Sequence, residues 1–458
     1  MTTDHLHALL DRYCNLDRLG DDGRRYRTHT RLVRIETGII RRIPGALRDL
    51  GLTGSAPVLL VCDANTRAVA AEDLLARFNE ANVAATLVEL QPREGHVDLL
   101  CDDDLVSRLA QATQQRGAGH LLAVGSGTLN DAAKAAAHEL GIQCSVLATA
   151  PSMNGFTSGI AAVLSKGVKT TRTSAAPAAV FADPVILAES PYRMIASGLG
   201  DLYSKPVSNA DWNLSAALLG TLHSDIVMEI VNAGAALLDG VAPRLPSRDP
   251  DAVARLTAAL MLSGLGMQAA GSSGPASGGE HLISHYIDMT AHAFGETHDF
   301  HGCQVAVGTV VTSTLYHELL AIDPSRISID PLVEAHLDWP AKQALIEARF
   351  GPLAPAVIEH ARRSWCSRDD LRARIKSLVA RWDHITEAVQ RTLRAPDDLE
   401  QELRSAGCPT RFGEIGVHRD RARRAILHCP DIRARYTILH LAVELQRLEA
   451  FADEYVQA

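Results

Sequence analysis

From about residue 30 to 185 the chain alternates short apolar runs with stretches of helical periodicity. The runs "LVRIETG", "VLLVCD", "ATLVEL", "HLLAVG", "CSVLA" and "AAVFAD" are rich in β-branched residues and nearly continuous in hydrophobicity, the pattern of strands buried on both faces. Between them, "DDDLVSRLAQATQQRG" and "TLNDAAKAAAHELG" repeat apolar positions at helical spacing and stop at Gly. Strands and helices in alternation predict a parallel sheet covered by helices. After "ADPVILAESP" the strand pattern ends, and from about residue 191 Ala- and Leu-rich helical segments run to the C terminus. The predicted architecture is α/β plus all-α, with a parallel-sheet domain over residues 1–190 and an all-helical domain over 191–458. "GSSGPASGG" (271–279) and "RAPDD" (394–398) break the second half into loops. The N-terminal "MTTDHLHALLDRYCNLDRLG" reads as an amphipathic helix.

Length supports two domains, because 458 residues exceed the size at which one hydrophobic core stops growing. Apolar content of 47% and charged content of 22% match an ordinary globular chain. Nucleic acid is not an expected partner: aromatic content is 4% and the net charge is −9, so neither stacking surfaces nor a basic footprint is present. No run approaches the roughly 18 apolar residues that span a bilayer, and the N terminus lacks the basic start and apolar core of a signal peptide. The eight cysteines are scattered without CxxC pairs, the usage expected of a reducing cytoplasm.

Chemistry concentrates in a few stretches. "HLLAVGSGTLNDAAKAAAHELG" runs from a strand through Gly-Ser-Gly into a helix. Gly125 and Gly127 there let backbone approach a ligand, Thr128 and Asn130 suit capping, and the amides of a helix start favour a phosphate or pyrophosphate. A turn shaped for tight geometry alone satisfies the pattern equally, since the third glycine of the dinucleotide fingerprint is missing. One strand later, "LATAPSMNGFTSG" (147–159) brings Thr149, Ser152, Asn154, Thr157 and Ser158 to the same carboxyl edge of the sheet. Met153 and Phe156 in that loop point to a covered cleft rather than open solvent.

Histidines gather in "SGGEHLISHYIDMTAHAFGETHDFHG" (277–302), which holds five of them. His281 and His285 are four apart and share a helix face, and His301 opens the next segment. No Glu follows His281, so the HExxH metalloprotease pattern is absent. Upstream, "GLGDLYSK" places Asp201 and Lys205 four apart, the spacing of a weak surface ion pair. One Asp and two His would make an O,N,N set for Zn²⁺ or a similar ion with a position open to substrate. His292 and His298 are expected on a solvated face or in the loop before His301.

In this order and spacing "GSGTLND", "TAPSMNGFTS", "GLGDLYSK", "SGGEHLISH" and "HGCQVAVGT" resemble the sn-glycerol-1-phosphate dehydrogenases. These lie within the wider group of iron-containing alcohol dehydrogenases, glycerol dehydrogenase and 3-dehydroquinate synthase. The resemblance spans residues 30 to 315, with a looser echo at "IRARYTILHLA". It implies a Rossmann-like nucleotide-binding domain, an all-helical metal-binding domain and an active site between them. It implies NAD(P)H contacts at Gly125, Gly127, Thr128, Asn130, Asp131, Thr149, Ser152 and Ser158. It also implies a divalent metal on Asp201, His281 and His301, usually zinc, with Ni²⁺ or Fe²⁺ as alternatives, and His285 facing the substrate. Catalysis would then fall to Asp201, His281, His285 and His301, with Asn154, Asp201, Lys205 and His285 at the substrate, Lys205 as a phosphate contact. The substrate implied is dihydroxyacetone phosphate or a close ketose phosphate, and a homo-oligomer is expected. Two positions depart from the family pattern: Asn154 stands where Asp is usual, and Cys303 where HGE is usual.

Three rivals differ in what they predict. A cyclase resembling 3-dehydroquinate synthase would use NAD transiently without net reduction. A cofactor-binding protein without turnover would hold NAD and metal but act on no polyol phosphate. A metallohydrolase would leave the glycine turn without a role.

Overall fold

All six predicted strands enter one sheet. In the computed structural model, which describes residues 2–95, 97–165 and 168–457, they are β1 (Leu32–Ile35), β2 (Val58–Cys62), β3 (Ala85–Glu89), β4 (His120–Gly125), β5 (Gln143–Ala148) and β6 (Ala179–Ala182). Their order across the sheet is β1-β6-β5-β4-β2-β3, and every neighbouring pair is parallel. Every residue of β2, β4 and β6 is buried, which is why these strands read as unbroken apolar runs. At the edge, β1 alternates half-buried and buried positions.

The sheet topology fixes where a ligand belongs. From β2 the chain steps outward to β3, whereas from β4 it steps the other way to β5 and β6. The order reverses between β2 and β4, and open α/β sheets bind ligands outside the carboxyl ends of strands at such a switch point. The glycine turn sits at the carboxyl end of β4.

Two short ribbons lie outside the sheet. Asp17–Leu19 pairs antiparallel with Arg25–Arg27, and Ile160–Ser165 pairs with Val168–Thr173. The first overturns part of the N-terminal expectation: the amphipathic helix ends at Asp11, and the chain continues as exposed strand.

The chain forms two compact units, and their division differs from a cut after residue 190. Met1–Ser165, Lys169–Leu202 and Ser224–Ser273 make the first; Tyr203–His223 and Gly274–Ala458 lie in the second. Residues 224–273 are helical, as predicted, but belong to the unit that holds the sheet. The reason is the helix Pro250–Ala270, which is apolar on all sides and buries Val253, Leu256, Leu260, Met261 and Leu265. Near its end Gln268 accepts from His29 N at 2.6 Å, donates to Thr30 Oγ1 at 2.8 Å and also reaches Thr157 O. By length and composition alone this helix could cross a membrane, yet 83% of its apolar stretch is buried inside the protein.

The second unit is built from helices. Lys205–Leu219, Gly279–Phe294 and His301–Leu320 pack on one another, and the C-terminal helices surround them. The predicted loop at 271–279 begins with Gly271 in the left-handed region. The break at 394–398 ends where Pro396 starts a new helix.

Candidate active site

In the first unit the glycine turn is built from two glycines with different jobs. A Cβ on Gly125 would lie 2.4 Å from Leu129 Cδ1, whereas one on Gly127 would meet only the Met153 side chain, at 3.5 Å. Gly125 therefore serves the turn itself, whereas Gly127 has only the flexible Met153 side chain beside it, at ordinary contact distance. The helix Gly127–Leu140 starts there with Ser126 at the cap position and no side chain capping it. Its first-turn amides keep their affinity for an anion. That arrangement suits the pyrophosphate of a dinucleotide. Ser126 Oγ bonds Ser152 Oγ at 2.5 Å and Ala150 O at 3.2 Å, and Thr149 N donates to Gly125 O, so the two polar loops are tied into one edge.

The expected capping by Thr128 and Asn130 is not what the structure shows. Asn130 is fully buried and donates through Nδ2 to Gly155 O at 3.3 Å. One turn on, Lys134 is also fully buried and donates to Gly155 O, Ser158 Oγ and Ile160 O at 2.9, 3.1 and 2.6 Å. Asp131 pairs with Lys134 Nζ at 2.8 Å and accepts from Ala162 N at 3.1 Å. Asn130 and Lys134 thus fasten the helix to the loop 153–160, in part through Ser158, and Asp131 fastens it to the strand that follows, while Ser126, Gly127 and Thr128 form the partly exposed face. Lys134 had no place in the sequence reading.

The same loop sets Asp201. The helix Tyr192–Tyr203 passes so close to the loop that a Cβ on Gly198 would lie 1.8 Å from Pro151 O, and Ser197 Oγ donates to Ser152 O at 2.9 Å. Near the end of that helix Asp201 is fully buried. Its Oδ2 accepts from Asn154 N at 2.7 Å and its Oδ1 from Asn154 Nδ2 at 3.0 Å. Both nitrogens of Asn154, backbone and side-chain, thus have the Asp201 carboxylate as partner.

In the second unit three histidines converge. Ring centroids of His281 and His301 are 5.1 Å apart, those of His285 and His301 5.5 Å, and those of His281 and His285 6.1 Å. The candidate ligand nitrogens of His281 and His301 lie within 4.8 Å of one another. His281 Nδ1 is held by Glu280 Oε1 at 2.7 Å. His301 Nδ1 is held by Ser284 Oγ at 3.1 Å, and Gln304 Nε2 donates to that same hydroxyl at 3.1 Å and to Asp288 Oδ1 at 2.7 Å. With Nδ1 engaged in both rings, coordination falls to Nε2, and the donor chemistry suits a divalent ion of the zinc, nickel or iron type. Sequence reasoning missed Glu280, Ser284 and Gln304; the signal for Glu280 lay beside His281 in "SGGEH", on the side that an HExxH search ignores.

Lys205 is buried and donates to Ala276 O at 3.3 Å and Ser204 Oγ at 3.4 Å. His292 and His298 are exposed, as expected, with ring centroids 5.1 Å apart. Cys303 is buried, and all eight cysteines are thiols. The C-terminal echo has a structural role: Ile438 N donates to Asp211 Oδ1 at 2.6 Å, Arg435 bonds Ser277 O, and Leu439 packs at Gly279. These contacts brace the start of the histidine helix.

Comparison with known proteins agrees with this geometry. Residues 34–191 match the family model described as iron-containing alcohol dehydrogenase. Solved structures with the same fold include a probable glycerol dehydrogenase from Sinorhizobium meliloti 1021, at TM-score 0.59 and 18% identity over 93% of this chain and 98% of that one. Glycerol dehydrogenase from Schizosaccharomyces pombe matches at TM-score 0.60 and 16% identity over 94% of this chain and 91% of that one. Among curated relatives, a glycerol-1-phosphate dehydrogenase [NAD(P)+] of Methanococcoides burtonii is 32% identical over 62% of this chain and 76% of its own length. One of the same name from Bacillus subtilis (strain 168) is 31% identical over 391 residues, 85% of this chain and 86% of the relative. By that identity over nearly the whole of both proteins, the chain belongs to the glycerol-1-phosphate dehydrogenase [NAD(P)+] family.

Proposed function

We propose that the protein is a metal-dependent NAD(P)H oxidoreductase that interconverts dihydroxyacetone phosphate and sn-glycerol 1-phosphate. The observation that carries this reading is the pairing of His281 and His301, each with Nδ1 engaged by a neighbour, in a chain whose Bacillus subtilis relative bears that name over 86% of its length. Asp201, His281 and His301 supply the O,N,N donor set. When bound there, a divalent ion supplies Lewis-acid polarisation of a carbonyl oxygen, and the nicotinamide supplies or accepts hydride.

The remaining work belongs to the chain. The amides at Gly127 and Thr128 receive the cofactor's pyrophosphate. Asn154 holds both oxygens of Asp201 in one orientation. His285, 9% exposed and centred 5.5 Å from His301, orients a substrate hydroxyl or relays the proton that the carbonyl oxygen takes up when hydride reaches its carbon. Met153 and Phe156 in the polar loop help keep water from the reacting carbon.

Net cofactor turnover separates this reading from a cyclase that uses NAD transiently. The test is the oxidation of NADH and NADPH with dihydroxyacetone phosphate, followed by stereochemical analysis of the product and metal analysis of the protein. We expect sn-glycerol 1-phosphate and about one divalent ion per chain, with both metal and turnover lost in Asp201→Ala and His281→Ala. A protein that keeps its cofactor and metal yet oxidises neither nucleotide with this substrate overturns the assignment, as does parent-level metal in both variants.

A further inference from the structure

Glu280 is fully buried, yet none of the family's motif roles accounts for it. Its Oε1 accepts from Gly278 N at 2.8 Å and faces His281 Nδ1 at 2.7 Å. A carboxylate only accepts, so the ring proton sits on Nδ1 and the lone pair on Nε2. Glu280 Oε2 is buried without a hydrogen-bond partner among the described residues. A second carboxylate stands beside it. Asp211 accepts from Tyr316 Oη at 2.6 Å, from Ile438 N at 2.6 Å and from Gly279 N at 2.7 Å. The charge of Arg435 interacts with both acids. At Gly278, a Cβ would lie 2.5 Å from Asp211 Oδ2, 2.8 Å from Glu280 Oε2 and 3.0 Å from Ser208 Cα. Only glycine lets the chain pass between the two carboxylates and enter the histidine helix.

Two buried acids side by side are costly unless they perform work. The structural share of that work is on Asp211, whose two oxygens take three donors from three different segments. Glu280 takes one backbone amide and otherwise addresses a single imidazole.

We infer that Glu280 is the positioning residue of His281. It fixes the Nδ1–H tautomer and the ring orientation, so that Nε2 presents its lone pair to the divalent ion, and its negative charge strengthens that nitrogen as a donor. This inference rests on the reading of His281 as a metal ligand. A carboxylate behind a ligating imidazole contributes about 10- to 100-fold to metal affinity.

The experiment uses full-length protein stripped of metal by chelator. Affinity for Zn²⁺ is measured by competition with a chromophoric chelator, and the His281 tautomer by ¹⁵N-histidine NMR of the stripped protein. Stability and NADH binding are measured alongside. In Glu280→Ala we expect affinity to fall about 10- to 100-fold and His281 to populate the Nε2–H tautomer. Glu280→Gln, which can accept the same proton but lacks the charge, should weaken binding less and leave NADH affinity unchanged. If Glu280→Ala fails to fold, Glu280→Gln carries the test by the same two readouts. A parent-like Nδ1–H tautomer together with parent-like Zn²⁺ affinity in the folded variant overturns the inference. His281→Ala distinguishes the two levels: retained Zn²⁺ there removes the metal assignment, whereas lost Zn²⁺ with an indifferent Glu280 variant removes only the role of Glu280.

Discussion

Asn154→Asp would return the chain to the family pattern and set a carboxylate against Asp201. Asn154 Nδ2 lies 3.0 Å from Asp201 Oδ1, with the two residues 8% and 0% exposed. The lost hydrogen bond to a charged acceptor costs about 1.5–3 kcal/mol. Two unit charges at that separation repel by about 5 kcal/mol at an effective dielectric constant of roughly 20. The backbone bond from Asn154 N to Asp201 Oδ2 survives the substitution, and side-chain rotation relieves part of the repulsion. We therefore expect Asn154→Asp to lose about 3–5 kcal/mol in the metal-free state, against about 1.5–3 kcal/mol for Asn154→Ala, which removes the bond without adding charge. A divalent ion on Asp201 offsets the added negative charge, so Zn²⁺ should recover more stability in Asn154→Asp than in the parent or in Asn154→Ala. The assay is urea denaturation of all three proteins, with chelator and with saturating Zn²⁺. Equal stability of parent and Asn154→Asp in chelator would refute the contact. Equal recovery by Zn²⁺ in all three would refute the placement of residue 154 against a metal ligand.

Two more outcomes follow from the sheet-bearing unit. Gly127→Val should fold, since a Cβ there meets only Met153 at 3.5 Å, but weaken NAD(P)H binding by occupying the room a pyrophosphate needs; unchanged affinity in titration calorimetry would move the nucleotide elsewhere. His120 is 2% exposed and bonded to Ser145 Oγ at 3.0 Å, and burial pushes its imidazole down to about 4. Its stabilising contribution is complete above the ordinary histidine range and fades as pH falls toward 4, so the deficit of His120→Asn relative to the parent should shrink by about 2 kcal/mol between pH 7.5 and pH 5. A pH-independent gap would show that this ring is protonated at no cost.

The sheet was legible because its strands are buried on both faces. "VLLVC" and "HLLAVG" have no solvent side to interrupt them, and burial of every residue in β2 and β4 is the physical cause of the run that marked them. The ribbon Asp17–Leu19 is exposed at all three positions, so its one apolar residue, Leu19, makes no inside–outside alternation, and the segment reads as the tail of a helix. The unit division was missed for a different reason. Pro250–Ala270 is apolar all round and buried on every side, so its periodicity singles out no face and is compatible with either neighbour. The C-terminal segment shows the same limit. Motifs faded after residue 315, yet the Bacillus subtilis match runs over 391 residues, and "IRARYTILHLA" braces the SGGEH turn through Ile438 and Arg435.

The site residues divide along a similar line. Asp201, His281 and His301 were legible as a ligand set through the motifs that carry the resemblance, since 19 histidines and 54 acidic residues leave residue type alone unable to choose them. Roles that depend on direction were not. Asn130 and Thr128 looked like caps because polar side chains at a helix start usually turn back to the amides, but Asn130 points inward to Gly155 O. Phase held the correction. Asn130 and Lys134 are four apart, in register with Ala133 and Ala137, all of them buried. A lysine in phase with an alanine face is cut off from water, so its ammonium must find oxygen acceptors in the protein, and it finds three in the loop it meets or beside it: the carbonyls of Gly155 and Ile160 and the hydroxyl of Ser158 between them. The loop so fastened is the one that presents Asn154 to Asp201. A polar residue that breaks an apolar helical face therefore marks where that helix grips a loop, and here the gripped loop is the one that orients the carboxylate of the proposed metal site.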